Sequence, residues 1–184
     1  MAKQFKEITP DIKEFIYDQK MFFVGTAANN GRVNISPKGM DSLRVIDANK
    51  IVWLNLTGSG NETAAHIMKN NRITIMFCAF EGKPLILRLY GEAMIFHPRD
   101  NDYHKYISLF PERVGARQIF EINVEMVQTS CGFGVPIYEY SEDRSQLVSW
   151  GKNKSAEDLK DYWQNKNTSS IDGYDTGIYV RGLS

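Results

Sequence analysis

Cysteine and histidine are scarce in this sequence of 184 residues. The cysteines, Cys78 and Cys131, lie far apart and fall on different predicted strands. The histidines are His66, His97 and His104, and their spacings match no metal-ligand pattern such as H-x-x-x-H. Because clustered ligands are missing, a disulfide framework and a zinc site are both disfavoured, and so is hydrolytic metal chemistry. We predict no bound metal.

An excess of either charge sign is also missing. Lys and Arg together number 22, as do Asp and Glu, so the formal net charge is zero. Proteins that bind nucleic acid or anionic membranes normally show a basic excess on one face, so neither partner is expected. No stretch approaches the roughly 18 apolar residues of a membrane span, and no apolar signal-peptide region follows residues 1–6. These absences predict a soluble, cytoplasmic protein, and a hydrophobic share of 42% is enough for a packed core in one domain.

Short strands joined by turns make up most of the predicted structure. Thr9 caps a first helix that begins with Pro10, and Asn30-Gly31 is a turn signal between the first two strands. The predicted strands cover residues 21–27, 32–36, 43–46, 51–56, 72–78, 85–96 and 118–129, and later helices cover 62–69, 98–109 and 156–166. Strands linked by turns pair antiparallel, and this many usually close into a barrel to remove their edges. The predicted fold is mainly β (α+β), an antiparallel barrel of six to seven strands with short peripheral helices.

The C-terminal third differs in composition from the barrel. Gly132–Pro136 predicts a kinked loop, and the residues from Asn167 onward are rich in Ser, Thr, Gly and Asp. Such a composition predicts a poorly ordered or partner-dependent tail. We divide the chain into a barrel domain, residues 1–130, and a C-terminal extension, residues 131–184, whose loop, helix and tail pack on the same domain.

A glycine-rich loop follows the fourth predicted strand, in the stretch "WLNLTGSGNETAAHI". It matches neither the Rossmann pattern, since Thr63 stands at the third glycine position, nor a Walker loop, since no lysine follows. The loop still has the features of an anion cradle, namely small residues, hydrogen-bond donors and a helix start. The alternative is that Gly58–Gly60 only turns the chain while Asn61 or Thr63 caps the helix. On the motif alone, the anion-cradle and the turn-and-cap interpretations are about equally supported.

Two isolated cations and a cysteine are further candidates. Lys38, in "SPKG" beside Ser36, is either a phosphate contact or a solvated turn residue, and the turn is favoured on local sequence alone. Arg88 interrupts an apolar strand, so its guanidinium needs solvent, a carboxylate or a ligand anion. Cys131 follows two hydroxyl residues, but no neighbouring cation would activate it, so a structural or ring-contacting role is favoured over catalysis.

The ordered series "GRVNISPKG", "IVWLNLTGSGNETAAHIMKNNRITIMF" and "LILRLYGEA" resembles the flavin-binding core of the pyridoxamine 5'-phosphate oxidase-like family, the FMN-binding split β-barrels. The resemblance covers about residues 10–130. It implies a homodimer with FMN in a groove between the two barrels. The cofactor-binding residues it implies are Ser36, Lys38, Thr57, Asn61, Glu62, Thr63 and Arg88, with Lys38 at the end of the second strand and the loop residues on the phosphate side.

Two departures separate the chain from the vitamin-salvage oxidases. Those enzymes carry basic residues where Glu62 and Thr63 stand here, so the resemblance leaves Lys38 and Arg88 to supply positive charge. They also end with an Arg-x-His element, whereas this chain ends "YVRGLS". The resemblance therefore implies an FMN-dependent oxidoreductase acting on an unknown small molecule, with no catalytic side chain identified. The alternatives are a non-catalytic flavin or haem carrier on the same barrel and a deazaflavin-dependent reductase.

Overall fold

A computed structural model describes residues 2–179 of the chain. Within them the strands are β1 (Lys3–Phe5), β2 (Phe22–Thr26), β3 (Asn34–Lys38), β4 (Leu43–Asp47), β5 (Lys50–Leu56), β6 (Arg72–Cys78), β7 (Leu85–Phe96) and β8 (Ala116–Cys131). The helices are α1 (Pro10–Asp18), α2 (Glu62–Ile67), α3 (Asn101–Ile107), α4 (Gln146–Lys152) and α5 (Ala156–Lys166). None of these helices is long and apolar enough to span a bilayer. The end of the sequence, where the Arg-x-His element is missing, falls on residues 180–184 and lies outside the described residues.

The strands form an antiparallel sheet in the order β3-β2-β6-β7-β8-β5-β4, with β1 paired to β8. The predicted antiparallel split barrel is confirmed. The sheet has eight strands rather than six or seven, because the three-residue β1 carries too short a pattern to be recognised. The described sheet is not closed, since β3 and β4 each have one strand neighbour and remain edges.

The open sheet curls around its core. Four steps between neighbouring strands separate β2 from β5, which in a flat sheet would place them roughly 19 Å apart. Yet the ring centroids of Phe22 on β2 and Trp53 on β5 lie 6.4 Å apart, and Trp53 also stacks on Phe120 of β8 at 4.7 Å. This curvature brings the ends of β3 and β5 to the same side of the molecule.

Helix α1 covers part of that core, as its sequence predicts. Thr9 Oγ1 accepts a hydrogen bond from Ile12 N at 3.4 Å, which satisfies one free donor of the first turn. Ile12 and Ile16 lie one turn apart on the helix and are buried in the main core cluster. The cap therefore sets where the helix starts, and its apolar stripe sets which face packs inward.

The expected poorly ordered tail is wrong for the described residues from Asn167 onward. Asn167 and Thr176 have no exposed surface, and Ile178 is 5% exposed. The polar composition is buried without penalty because the groups pair with each other: Thr176 Oγ1 donates to Asn167 O at 2.6 Å. Helix α4 was not anticipated either, so the C-terminal extension contains more ordered structure than its composition indicates.

Candidate functional site

A cavity of about 290 Å³ opens where the ends of β3 and β5 meet the glycine-rich loop. Polar side chains from β3, β5, the loop and β8 line it, together with loop backbone. The lining residues are Asn34, Ser36, Lys38, Asn55, Leu56, Gly58, Ser59, Gly60, Asn61, Glu62, Thr63 and Arg117. Five of the seven cofactor-binding residues implied by the resemblance therefore come together here: Ser36, Lys38, Asn61, Glu62 and Thr63.

Lys38 is not a freely solvated turn residue. Its Nζ lies 5.3 Å from the ring centroid of the buried Trp53, a cation–π arrangement. Burial, and then the nearby positive charge of Arg117, lower the pKa of Lys38 from 10.5 to about 8. The lysine is thus held in a partly dehydrated position beside a second cation, which is an environment that attracts an anion.

Arg117, at the start of β8, is a site residue that sequence reasoning missed. It is 2% exposed, and a terminal nitrogen donates to Gly60 O at 3.0 Å and to Asn167 Oδ1 at 2.6 Å. Among residues 2–179 it forms no ion pair with a carboxylate. Burial lowers its pKa from 12.5 to about 10. A guanidinium buried without a counter-charge is costly unless a ligand anion supplies one.

Three residues that line the cavity each carry a buried polar atom without a hydrogen-bond partner among the described residues. The atoms are Ser36 Oγ, Asn61 Oδ1 and Arg117 Nε. Buried polar atoms are normally paired, and leaving one unpaired costs about 1–3 kcal/mol. Three such atoms on residues of one cavity favour a binding site over a packing defect.

The glycines of the loop are not required by the turn they make. Neither Gly58 nor Gly60 has a positive φ. A Cβ built on Gly58 would meet nothing within 4 Å, and one on Gly60 would meet only Glu62 Oε1 at 3.8 Å. Asn61 is the N-cap of α2 by position, yet its side chain makes no capping hydrogen bond. The turn-and-cap interpretation therefore leaves these residues unexplained, whereas bare backbone facing a cavity allows close approach of a ligand.

Hydrogen bonds join the C-terminal extension to the glycine-rich loop. Asn167 Nδ2 donates to Gly58 O at 3.1 Å, and Asn61 Nδ2 donates to Asn167 O at 3.2 Å. Glu62 Oε1 accepts from Ile171 N at 3.0 Å, so this carboxylate is engaged by the extension's backbone. The sequence offered no signal for Asn167, because its partners lie about 50 to 110 residues away along the chain.

Thr57 belongs to this bracing rather than to the cavity wall. It is 2% exposed, and its Oγ1 donates to Gly115 O and accepts from Trp163 Nε1, both at 2.8 Å. Its hydroxyl thereby ties the start of the loop to the segment before β8 and to helix α5. A direct cofactor contact by Thr57 stays a prediction.

Arg88 and Cys131 also lie away from the cavity. Leu87 and Leu89 point into the core, so Arg88 between them projects from the opposite face of β7, where it donates to Ser130 Oγ at 3.2 Å. Among the described residues Arg88 has no carboxylate partner. Cys131 is exposed at the end of β8, and Cys78 is buried, and both are free thiols. A role for Arg88 in cofactor binding stays a prediction.

A row of buried polar side chains leads inward from the cavity. Asn55 lines the cavity and donates to Gln118 Oε1 at 3.2 Å, and Gln118 Nε2 lies 3.2 Å from His97 Nε2. Burial, and then the positive charge of Arg99, lower the pKa of His97 from 6.5 to about 4, so the ring is neutral at neutral pH. The row fixes the Asn55 amide at the cavity wall.

Comparison with known proteins agrees with this architecture. The family model described as pyridoxamine 5'-phosphate oxidase matches residues 8–131. The pyridoxamine 5'-phosphate oxidase family protein ustO of Aspergillus flavus is 35% identical over 144 residues, which are 76% of this chain and 58% of that protein. The chain thus spans less than two thirds of the length of this curated relative.

Two solved structures share the fold. A variant of HupZ from Group A Streptococcus is 27% identical, with a TM-score of 0.56 over 67% of this chain and 99% of that one. HutZ, described as a heme storage protein from Vibrio cholerae, is 18% identical, with a TM-score of 0.50 over 68% of this chain and 97% of that one. The second likeness concerns the fold alone. Because the family model covers more than half of the sequence, the chain belongs to the pyridoxamine 5'-phosphate oxidase family.

Proposed function

We propose that the cavity binds the phosphate end of FMN and that the chain is a flavin-dependent oxidoreductase acting on an unidentified small molecule. The observation that carries the proposal is the pair of dehydrated cations, Lys38 and Arg117, at one cavity. Keeping each side chain charged is costly, because burial lowers the pKa of both and neither has a carboxylate partner among the described residues. A phosphate dianion offsets the repulsion between them and the cost of burying Arg117.

The residues around the cations suit a phosphate ester. Ser36 Oγ and Arg117 Nε are buried donors without partners among residues 2–179, and the bare backbone at Gly58 and Gly60 admits close approach. In the proposed complex Arg117, Lys38, Ser36 and the loop backbone hold the phosphate. The flavin, when bound, supplies the hydride or electron transfer, and the protein supplies orientation and hydrogen bonds.

Glu62 is the residue least suited to an anion site. Its Oε1 accepts a hydrogen bond from the Ile171 backbone N–H, so this carboxylate oxygen is bound to the C-terminal extension. We infer that Glu62 shapes the loop and that Arg117, rather than Arg88, joins Lys38 in supplying positive charge. Arg88 lies on the outer face of the sheet, so a contact with flavin from there requires a subunit interface. A homodimer and a cytoplasmic location are also part of this proposal.

The haem-carrier alternative receives less support from the cavity. Haem iron in proteins is held by histidine, cysteine, methionine or tyrosine side chains. None of these types is present among the described residues that line the cavity. A deazaflavin carries a similar phosphate-bearing chain, so the cavity accommodates that alternative and the experiment has to separate it from FMN.

The test starts from the absorption spectrum of the purified protein and from mass spectrometry of small molecules released on denaturation. Apoprotein is then titrated with FMN and, separately, with riboflavin, which lacks only the phosphate. We expect FMN to bind at least tenfold more tightly than riboflavin, since one charge-assisted contact is worth about 1.5–3 kcal/mol. Equal affinities would contradict a phosphate site, and a Soret band or a released deazaflavin would replace FMN with the alternative cofactor. Consumption of NADPH by the loaded protein separates an enzyme from a carrier.

A further inference from the structure

A second cavity, of about 200 Å³, adjoins the first. Leu56 lines both cavities, whereas the other walls of the second are separate. Most of its lining is apolar, with charged groups at one part of the wall. The apolar lining consists of Met40, Leu56, Val114, Leu147 and Val148, and the charged lining of Glu112, Arg113 and Lys152.

Hydrogen bonds and close packing hold these walls in place. Gly115 O accepts from both the backbone N and the Oγ1 of Thr57, each at 2.8 Å, which anchors the 112–115 segment to the end of β5. Helix α4 is seated against the same segment, because Gly151 is buried and a Cβ there would lie 3.0 Å from Val114 O. The cavity is therefore preformed rather than opened by a ligand.

Part of this cavity comes from outside the segment matched by the family model. That match ends at residue 131, whereas Leu147, Val148 and Lys152 belong to α4. The cavity's chemistry is thus set by the C-terminal extension of this chain as much as by the barrel.

The lining combines apolar side chains with one arginine that lacks a hydrogen-bond partner at its Nε. A volume of about 200 Å³ has room for a single ring or a branched aliphatic group with one polar substituent, and one side of the cavity is open to solvent, since Val114 and Leu147 are 48% and 38% exposed. Arg113 is half-buried, and its Nε is buried without a hydrogen-bond partner among residues 2–179. Glu112 and Lys152 are exposed, and among the described residues Arg113 forms no ion pair with a carboxylate.

We infer that this cavity binds a small carboxylic acid with a compact apolar body, its carboxylate on Arg113 and its apolar part against Leu56 and Val148. A guanidinium presents paired donors that match a carboxylate, and the apolar wall excludes strongly hydrated anions. The site lies next to the proposed cofactor cavity, which is where a substrate would be needed, but the inference concerns binding of the acid and does not depend on flavin.

The test titrates the full chain with benzoate and follows binding by calorimetry. No flavin is added. Benzamide provides the same ring without the charge, and acetate provides the charge without the ring. We expect saturable benzoate binding, with both controls at least about tenfold weaker. Absence of saturable benzoate binding, or benzamide binding as tightly as benzoate, would overturn the inference.

Variants assign the binding to this cavity. Arg113→Gln should weaken benzoate about tenfold or more, and Val148→Trp should abolish binding by filling the cavity. Arg144→Gln, which removes an exposed arginine of the same extension, should bind benzoate as the parent does. Unchanged affinity in Arg113→Gln would sink the inference even if Val148→Trp fails to fold. Since Arg113 does not line the first cavity, FMN affinity in Arg113→Gln should equal that of the parent, so failure of this inference and failure of the FMN proposal are distinguishable.

Discussion

Arg117→Met separates a binding role of this arginine from a structural one. Methionine is close to the arginine stem in length and keeps the apolar packing, but it carries neither charge nor donor. If Arg117 is present to hold the fold together, its loss should destabilise the apoprotein strongly. If it is present to bind an anion, its loss should mainly weaken the ligand.

The expected change in stability is small because two contributions oppose each other. Lowering the pKa of Arg117 from 12.5 to about 10 corresponds to about 3 kcal/mol of unfavourable burial of its charge, which methionine removes. Against this, the variant loses the hydrogen bonds to Gly60 O and Asn167 Oδ1, each worth about 1.5–3 kcal/mol for a charged donor. We expect the free energy of unfolding to fall by no more than about 3 kcal/mol, whereas FMN affinity should fall about 10- to 100-fold.

Urea unfolding of the apoprotein and fluorescence titration with FMN measure the two quantities separately. Arg72→Gln is the matched control, because Arg72 is an exposed arginine outside the cavity, whose guanidinium contacts Asn70 Oδ1 at 3.1 Å, and its loss should change neither. A loss of more than about 3 kcal/mol of stability with FMN affinity intact would refute the binding role and make Arg117 a structural brace.

Four further outcomes are expected. Asn167→Ala removes the hydrogen bond to Gly58 O and an acceptor of the buried Arg117 guanidinium, so urea unfolding should show a loss of about 2–4 kcal/mol and titration weaker FMN binding. Gly58→Val should leave stability nearly unchanged, since its Cβ meets nothing within 4 Å, but should weaken FMN, whereas Gly134→Val, equally open and outside the cavity, should not. FMN affinity should fall as the pH rises through about 8, where Lys38 loses its proton, and a pH-independent affinity between 7 and 9 would exclude this lysine as a contact. Because the fold keeps His97 neutral while the unfolded chain takes up a proton below pH 6.5, stability should fall by up to about 3 kcal/mol as the pH drops from 6.5 to 4, and His97→Gln should flatten that dependence in thermal unfolding.

Features set by local sequence were predictable. The Thr9 cap, the positive φ of Gly31 in the Asn30-Gly31 turn and the bounds of α5 all follow from interactions within a few residues. Strands β2 to β8 were recognisable because each carries enough β-favouring or alternating residues. β1 was not, since its three residues are strands only because they pair with residues 127–129 of β8.

The site was predictable only where its residues share one stretch of sequence. Ser36 and Lys38 lie on one strand, and Asn61 to Thr63 follow one another, so their order was recognisable. Arg117 precedes the predicted strand by one residue, and its burial depends on Asn167, 50 residues later. Such long-range pairing leaves no local pattern, and the polar composition around Asn167 predicted a poorly ordered or partner-dependent tail.

The C-terminal extension accounts for how an acidic residue is tolerated at the start of α2. The resemblance left a shortage of positive charge there, because Glu62 and Thr63 stand where related oxidases carry basic residues. Glu62 is held by Ile171 N, and Asn167 directs the Arg117 guanidinium toward Gly60. The C-terminal extension therefore hydrogen-bonds the Glu62 carboxylate and also orients the Arg117 guanidinium toward the glycine-rich loop.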